Sequence, residues 1–100
     1  MNPVQHNMES IKSLCRRHRV RKLFVFGSVL SGSFNAGSDI DFIVDFSAME
    51  VSKYADNYFD LKFSLENLLQ RPIDMVEQQT ISNPYFKKAV EKQKQLIYEA

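Results

Sequence analysis

One hundred residues suffice for one small core and leave no room for a second, so a single domain spanning residues 1–100 is expected. With 44% hydrophobic and 25% charged residues the chain has an ordinary globular composition, and a net charge of +1 argues against a general nucleic-acid coat. Cys15 is the only cysteine, which excludes an intrachain disulfide and a cysteine-rich zinc site.

The N-terminus has no long apolar run, so secretory and membrane-spanning readings fail and a cytoplasmic protein is the default. Val4, Met8, Ile11 and Cys15 recur at three- and four-residue spacing, which places them on one helical face. The helix is expected to fray into the basic stretch Arg16–Lys22, whose charges are read as solvated and favourable near the helix C-terminus. Leu23–Phe26 then forms a continuous apolar run ended by Gly27-Ser28, the pattern of a strand covered on both faces. Residues 28–38, rich in Ser, Gly and Asn, read as a loop with one short helix.

Asp39–Phe46 alternates: Ile40, Phe42, Val44 and Phe46 face one way, and Asp39, Asp41, Ile43 and Asp45 the other. Tyr54, Tyr58, Leu61, Leu65 and Leu68 mark an amphipathic helix from about Lys53 to Gln70. Arg71-Pro72 breaks it, and Ile73–Val76 makes a third short strand. Asn83-Pro84 reads as a cap with proline in the first turn, and Phe86, Val90 and Ile97 give a closing helix its apolar stripe. The expected fold is α/β, a short mixed sheet of three strands, or four, flanked by helices in the order α-β-α-β-α-β-α. His6 and His18 lack metal-ligand spacing and read as surface or boundary residues, Cys15 as a small core thiol, and Asp45 as structural.

Three local features carry chemistry. Gly27-Ser28 ends a buried strand and is followed by Gly32. Glycine permits close backbone approach, and free N–H groups at a helix start, with the Ser28 hydroxyl, suit phosphate oxygens. By itself this is equally a strand-to-helix turn, and no Lys-Ser/Thr of a P-loop follows. Asp39 and Asp41 project from the same face of a strand, where two adjacent carboxylates repel and a hard divalent cation relieves the repulsion. A solvated strand end is the plainer account of an Asp-x-Asp; here the pair opens an otherwise apolar strand. Asp74 lies between Ile73 and Met75, as a third acid or as a partner of Arg71. If the intervening helix is a right-handed crossover, the second and third strands run parallel and Asp74 falls beside Asp39 and Asp41. Ser28 reaches the same edge only if the first strand is antiparallel to the second. Three carboxylates so gathered can hold two magnesium ions about 3.5–4 Å apart.

Phe26-Gly27-Ser28 and, ten positions after Ser28, Ser38-Asp39-Ile40-Asp41-Phe42-Ile43-Val44 resemble the minimal nucleotidyltransferases of the DNA polymerase beta superfamily. Pro72-Ile73-Asp74-Met75-Val76 looks like their third-acid strand, so the resemblance spans nearly the whole chain. It implies the nucleotidyltransferase fold and a magnesium-dependent enzyme with ATP as nucleotide donor. By this analogy Gly27, Ser28 and Ser38 bind the nucleotide, and Asp39, Asp41 and Asp74 are both catalytic and metal-binding, Asp74 also helping to activate the acceptor hydroxyl. Many relatives carry an arginine directly after Gly-Ser and another two residues later; here Val29 and Ser31 stand there, which weakens the expected phosphate grip.

Stand-alone domains of this family often act as antitoxins that adenylylate a tyrosine of a helical HEPN-type toxin. The resemblance therefore implies transfer of AMP from ATP to a hydroxyl on such a partner. The rival is a binding module that neutralises a helical partner by contact alone. Transfer to a small molecule, as in aminoglycoside-modifying relatives, is a weaker third reading because those usually carry a further acceptor domain. Neither nucleic acid nor membrane is an expected partner, and homo-oligomerisation is left open.

Overall fold

The computed structural model describes residues 2–30 and 38–100, with positions 28 and 29 in backbone only. The helical start is two pieces rather than one. Asn2 accepts from the Gln5 N–H and the Gln5 side chain accepts from the Asn2 N–H, a capping box that closes the single turn α1, Pro3–His6. Asn7 then interrupts the ladder, and α2 follows over Met8–Arg17. Val4, Ile11, Leu14 and Cys15 are buried from these two elements.

Strand β1 runs Val20–Phe26, three residues earlier than the apolar run suggested, and so takes in Arg21 and Lys22. The reason is an ion pair with a buried acid: Arg21 Nη2, on an exposed side chain, lies 2.6 Å from Asp45 Oδ2, which anchors the basic residue to β2, Ile40–Phe46. Asp45 is therefore structural, as read, while Arg21 is not simply solvated. His18 also departs from expectation. It is buried, with Nδ1 2.7 Å from the Leu14 carbonyl and Nε2 2.6 Å from Asp60 Oδ2. Its polar ring atoms are thus satisfied inside the structure.

Helix α3, Val51–Leu69, buries Leu61, Leu65 and Leu69 against one face of the sheet and ends on Gln70 in the left-handed conformation, φ 55°. Strand β3 is Ile73–Glu77, and α4 is Pro84–Gln93, capped by Asn83 Oδ1, which accepts from the Tyr85 and Phe86 N–H groups. The closing helix stops at Gln93. Ile97 belongs instead to a fourth strand, β4, Gln95–Glu99, where it enters the core as the middle of a five-residue strand.

The sheet has the order β3-β2-β1-β4. β1 is antiparallel to both β2 and β4, and β2 is parallel to β3. This is the strand arrangement that the spacing of the carboxylates required. The core lies between the sheet and α1–α3, with Ile40, Phe42 and Val44 at 0% exposure in its middle. Each such side chain stabilises the fold by about 1.5–3 kcal/mol through area removed from water. The opposite face carries α4: Phe86 meets Phe26 edge-on at 6.0 Å between ring centres, and Lys94 Nζ sits 4.1 Å from the centre of the Phe24 ring.

Candidate active site

Strand register places the acidic residues. Asp41 is the register partner of Asp74 across the parallel β2–β3 pair, and of Phe26 across the antiparallel β1–β2 pair. Neighbouring strands lie about 4.8 Å apart, so the two carboxylates leave the sheet side by side on one face. Asp39, two residues before Asp41, joins that edge just ahead of β2. Asp41 is half-buried, and Asp39 and Asp74 are exposed.

The electrostatics register this gathering. Burial pushes the Asp41 carboxyl above its ordinary value, and the charges of Asp74 and then Asp39 push it further. Asp74 and Asp39 therefore both act on the Asp41 carboxylate. The three acids are not drawn to a common point: among the described residues no three His, Cys, Asp or Glu side chains lie close enough to hold a metal ion. Like charges disfavour a closer approach, and the same repulsion makes the edge attractive to a cation.

Gly27 closes the site from the β1 side. The chain leaves β1 at Gly27 with φ +85° and enters a 3-10 turn over Gly27–Leu30. A Cβ on residue 27 would lie 2.5 Å from Asp41 Oδ2. Both the backbone angle and the carboxylate require glycine there. Gly27 and Asp41 thus meet, as the Gly-Ser and Asp-x-Asp motifs implied. The turn that follows carries Ser28 in its backbone; the Ser28 hydroxyl, the Val29 side chain, Ser31 and Gly32 lie outside the described residues. Ser38 precedes Asp39 and its carbonyl accepts from Arg71 Nη1 at 3.4 Å, tying the approach to β2 onto the start of β3.

Donor chemistry fits a divalent cation. The donors are hard carboxylate oxygens, one of them held partly out of water and repelled by its neighbours, with the Gly27 backbone directly against it.

Two residues beside the site carried no sequence signal of their own. Tyr58 donates its hydroxyl proton to the Met75 carbonyl, and Glu66 Oε2 accepts from the Ile73 N–H at 3.1 Å. The helical spacing of Tyr58 places it in the core, and it does pack there. Its hydroxyl bond to a strand carbonyl is a long-range contact that no local pattern announces. Burial, then the charges of Asp74 and Glu77, raise the Tyr58 hydroxyl above its ordinary range, so it stays a neutral donor.

A family model described as a nucleotidyltransferase domain matches residues 8–97. The chain belongs to this nucleotidyltransferase family, a family of enzymes. A "Putative protein adenylyltransferase" of Methanocaldococcus jannaschii is 31% identical over 99 residues, covering 91% of this chain and 96% of its own. The solved structure of a "putative minimal nucleotidyltransferase" superposes with a TM-score of 0.77 at 29% identity, over 95% of both chains. A chain from the tri-AMPylated Shewanella oneidensis HEPN toxin in complex with MNT antitoxin shares the fold, with a TM-score of 0.66 at 20% identity, over 96% of this chain and 72% of that one. The described part of the molecule contains no helix long and apolar enough to cross a membrane.

Proposed function

We propose that this chain transfers a nucleoside monophosphate, AMP from ATP, to a hydroxyl group on a helical, HEPN-type partner protein, as an antitoxin does. The observation that carries the proposal is the Asp41–Asp74 register pair with Asp39 beside it and Gly27 pressed against the Asp41 carboxylate. The relative named as a protein adenylyltransferase and the fold shared with an MNT antitoxin support the same reading.

Asp39, Asp41 and Asp74 would hold two magnesium ions, which when bound offset the negative charge of the triphosphate and of the departing pyrophosphate. Gly27, with the turn carrying Ser28, leaves open backbone beside the acids for the β- and γ-phosphates, and Ser38 lines the approach. Asp74, exposed at the sheet edge, orients the acceptor hydroxyl and draws its proton. The acceptor oxygen bonds to the α-phosphorus, the bond from that phosphorus to the bridging oxygen breaks, and pyrophosphate leaves with the electron pair. A single domain over residues 1–100, with the acceptor supplied by another chain, fits this economy.

The test incubates the protein with α-labelled ATP, magnesium and the product of the neighbouring gene. Label on that partner, lost together with neutralisation in Asp39→Ala/Asp41→Ala, is the expected result. Neutralisation that survives the double substitution would sink the enzymatic antitoxin reading. It would favour the second one, neutralisation by contact, which the exposed ring pair Phe59 and Phe63 on α3 supports: they are 48% and 59% exposed and stack at 6.0 Å.

A further inference from the structure

Strand β3 lies at the edge of the sheet, so only β2 pairs with it by a ladder. The Ile40 N–H donates to the Pro72 carbonyl on that inner side. The backbone groups that alternate to the outer side need other partners. Two of them, the Ile73 N–H and the Met75 carbonyl, are bonded to side chains of α3. Ile73 and Met75 are the residues immediately before and after Asp74.

Glu66 and Tyr58 stand eight positions apart on α3, about two turns, and so lie on one helix face. Both are partly shielded from water, and their strand partners Ile73 and Met75 are buried. One contact takes a backbone donor and the other a backbone acceptor, so together they fix both translation and rotation of the short segment that carries Asp74. Asp39 is flanked by bonds of its own, the Ser38 carbonyl accepting from Arg71 and the Ile40 N–H donating to Pro72, and Asp41 is held by ladders on both sides.

We infer that Glu66 and Tyr58 are positioning residues that clamp the β3 backbone on either side of Asp74 and hold its carboxylate level with Asp41. This rests on the reading of Asp74 as a cation-holding carboxylate. An edge strand with only one ladder can shift or fray, and a displacement of 1 Å at a ligating group is enough to impair a site. The clamp gives this edge acid the fixity that Asp41 receives from its central strand. A mere plug for unpaired edge groups would stabilise β3 without any link to the Asp74 side chain, and the two roles separate by experiment.

Mn2+ is titrated into the whole chain and free ion is read by electron paramagnetic resonance, with metal-free melting recorded for each variant. Wild type binds, Asp74→Asn binds more weakly, and Tyr58→Phe/Glu66→Ala binds about tenfold more weakly than wild type through loss of two hydrogen bonds. Glu66→Gln keeps the acceptor oxygen without the charge and retains the affinity of wild type. On the Asp74→Asn background the clamp substitutions cause no further loss, because they act through that side chain. Normal Mn2+ binding by the double variant, with Asp74→Asn weakened, overturns the clamp and leaves the proposed function standing. Equal weakening by Glu66→Gln and Glu66→Ala overturns the hydrogen-bonding role of Glu66, since charge alone then accounts for it. Absence of Mn2+ binding by wild type, or an unaffected Asp74→Asn, removes the metal reading and the clamp with it. Should the double variant be unfolded by circular dichroism, Tyr58→Phe alone decides, with about threefold weaker binding expected and wild-type binding overturning the inference.

Discussion

Asp41 and Asp74 are register partners on parallel neighbouring strands, and burial, then the charge of Asp74, raises the carboxyl of Asp41 above its ordinary value. The fold thus holds together two groups that repel. Asp41 has a higher pKa folded than unfolded, so between those two values the folded protein binds the extra proton. Its contribution to stability is best in acid and is lost as pH rises from the unfolded value of about 3.9 through the raised folded value. Asp41→Asn should therefore raise the melting temperature at pH 7, by a gain below about 1 kcal/mol because the group is only half-buried. The increment should vanish toward pH 3 in a series of melts. Nucleotide transfer should be lost in the same protein, and a lower melting temperature at pH 7 would contradict the repulsion.

On the proposed mechanism, Asp74→Asn removes the proton acceptor from the sheet edge. Transfer measured with labelled ATP should fall about 10²-fold or more, the usual range for losing a general base. Metal binding should also weaken in acid, as protons compete with the cation for the raised Asp41 carboxylate.

Gly27→Ala tests the close approach. The added methyl meets Asp41 Oδ2 at 2.5 Å, and φ +85° is strained for any other residue. Denaturant unfolding should show a loss of about 1–2 kcal/mol. Transfer should fall with it, since the carboxylate must move. In Gly27→Ala/Asp41→Gly the steric part of the loss should be recovered and the activity should not.

Arg21→Met leaves the Asp45 carboxylate buried without its cation, Asp45 being 3% exposed. Because the Arg21 side chain is 59% exposed and water can reach the pair, the loss should be about 1–2 kcal/mol, and Arg21→Met/Asp45→Leu should restore most of it. The unbonded Asp45 Oδ1 adds to the reason why the apolar replacement is tolerated. Because Asp45 lies four positions beyond Asp41 along β2, Asp45→Asn should retain nucleotide transfer. Its loss in a protein of unchanged melting would reassign this residue.

Cys15 is fully buried, and burial pushes its thiol up to about 12. A disulfide reagent at pH 8 should label it only as fast as the protein unfolds, so the rate should rise with denaturant. Rapid labelling in buffer would show that α2 opens far more readily than its packing implies.

The parts of the site legible in sequence are those written locally. Gly27-Ser28 after an apolar run, Asp39 and Asp41 two apart at a strand start, and Asp74 inside a short strand each follow from residue spacing. The single long helix between them, with parallel strands on either side, brought Asp74 to Asp41 by reasoning alone. The misreadings share one physical cause, a partner distant in the chain. Arg21 looked solvated because Asp45 is 24 positions away, and His18 looked peripheral because Asp60 is 42 positions away. Ile97 matched helical spacing with Val90, yet only the free edge of β1 decides that Gln95–Glu99 extends. The tight fit of Gly27 on Asp41 and the grip of α3 on β3 are likewise invisible in any window of sequence.

β2 is paired antiparallel on one side and parallel on the other. A deletion of one residue within it would turn Asp41 inward, bring Phe42 to the outer face and break two ladders of unlike geometry at once. This stretch of chain therefore offers almost no room for insertions or deletions, by design or by descent. Length variation among working relatives should fall between the elements and spare the seven residues Ile40–Phe46.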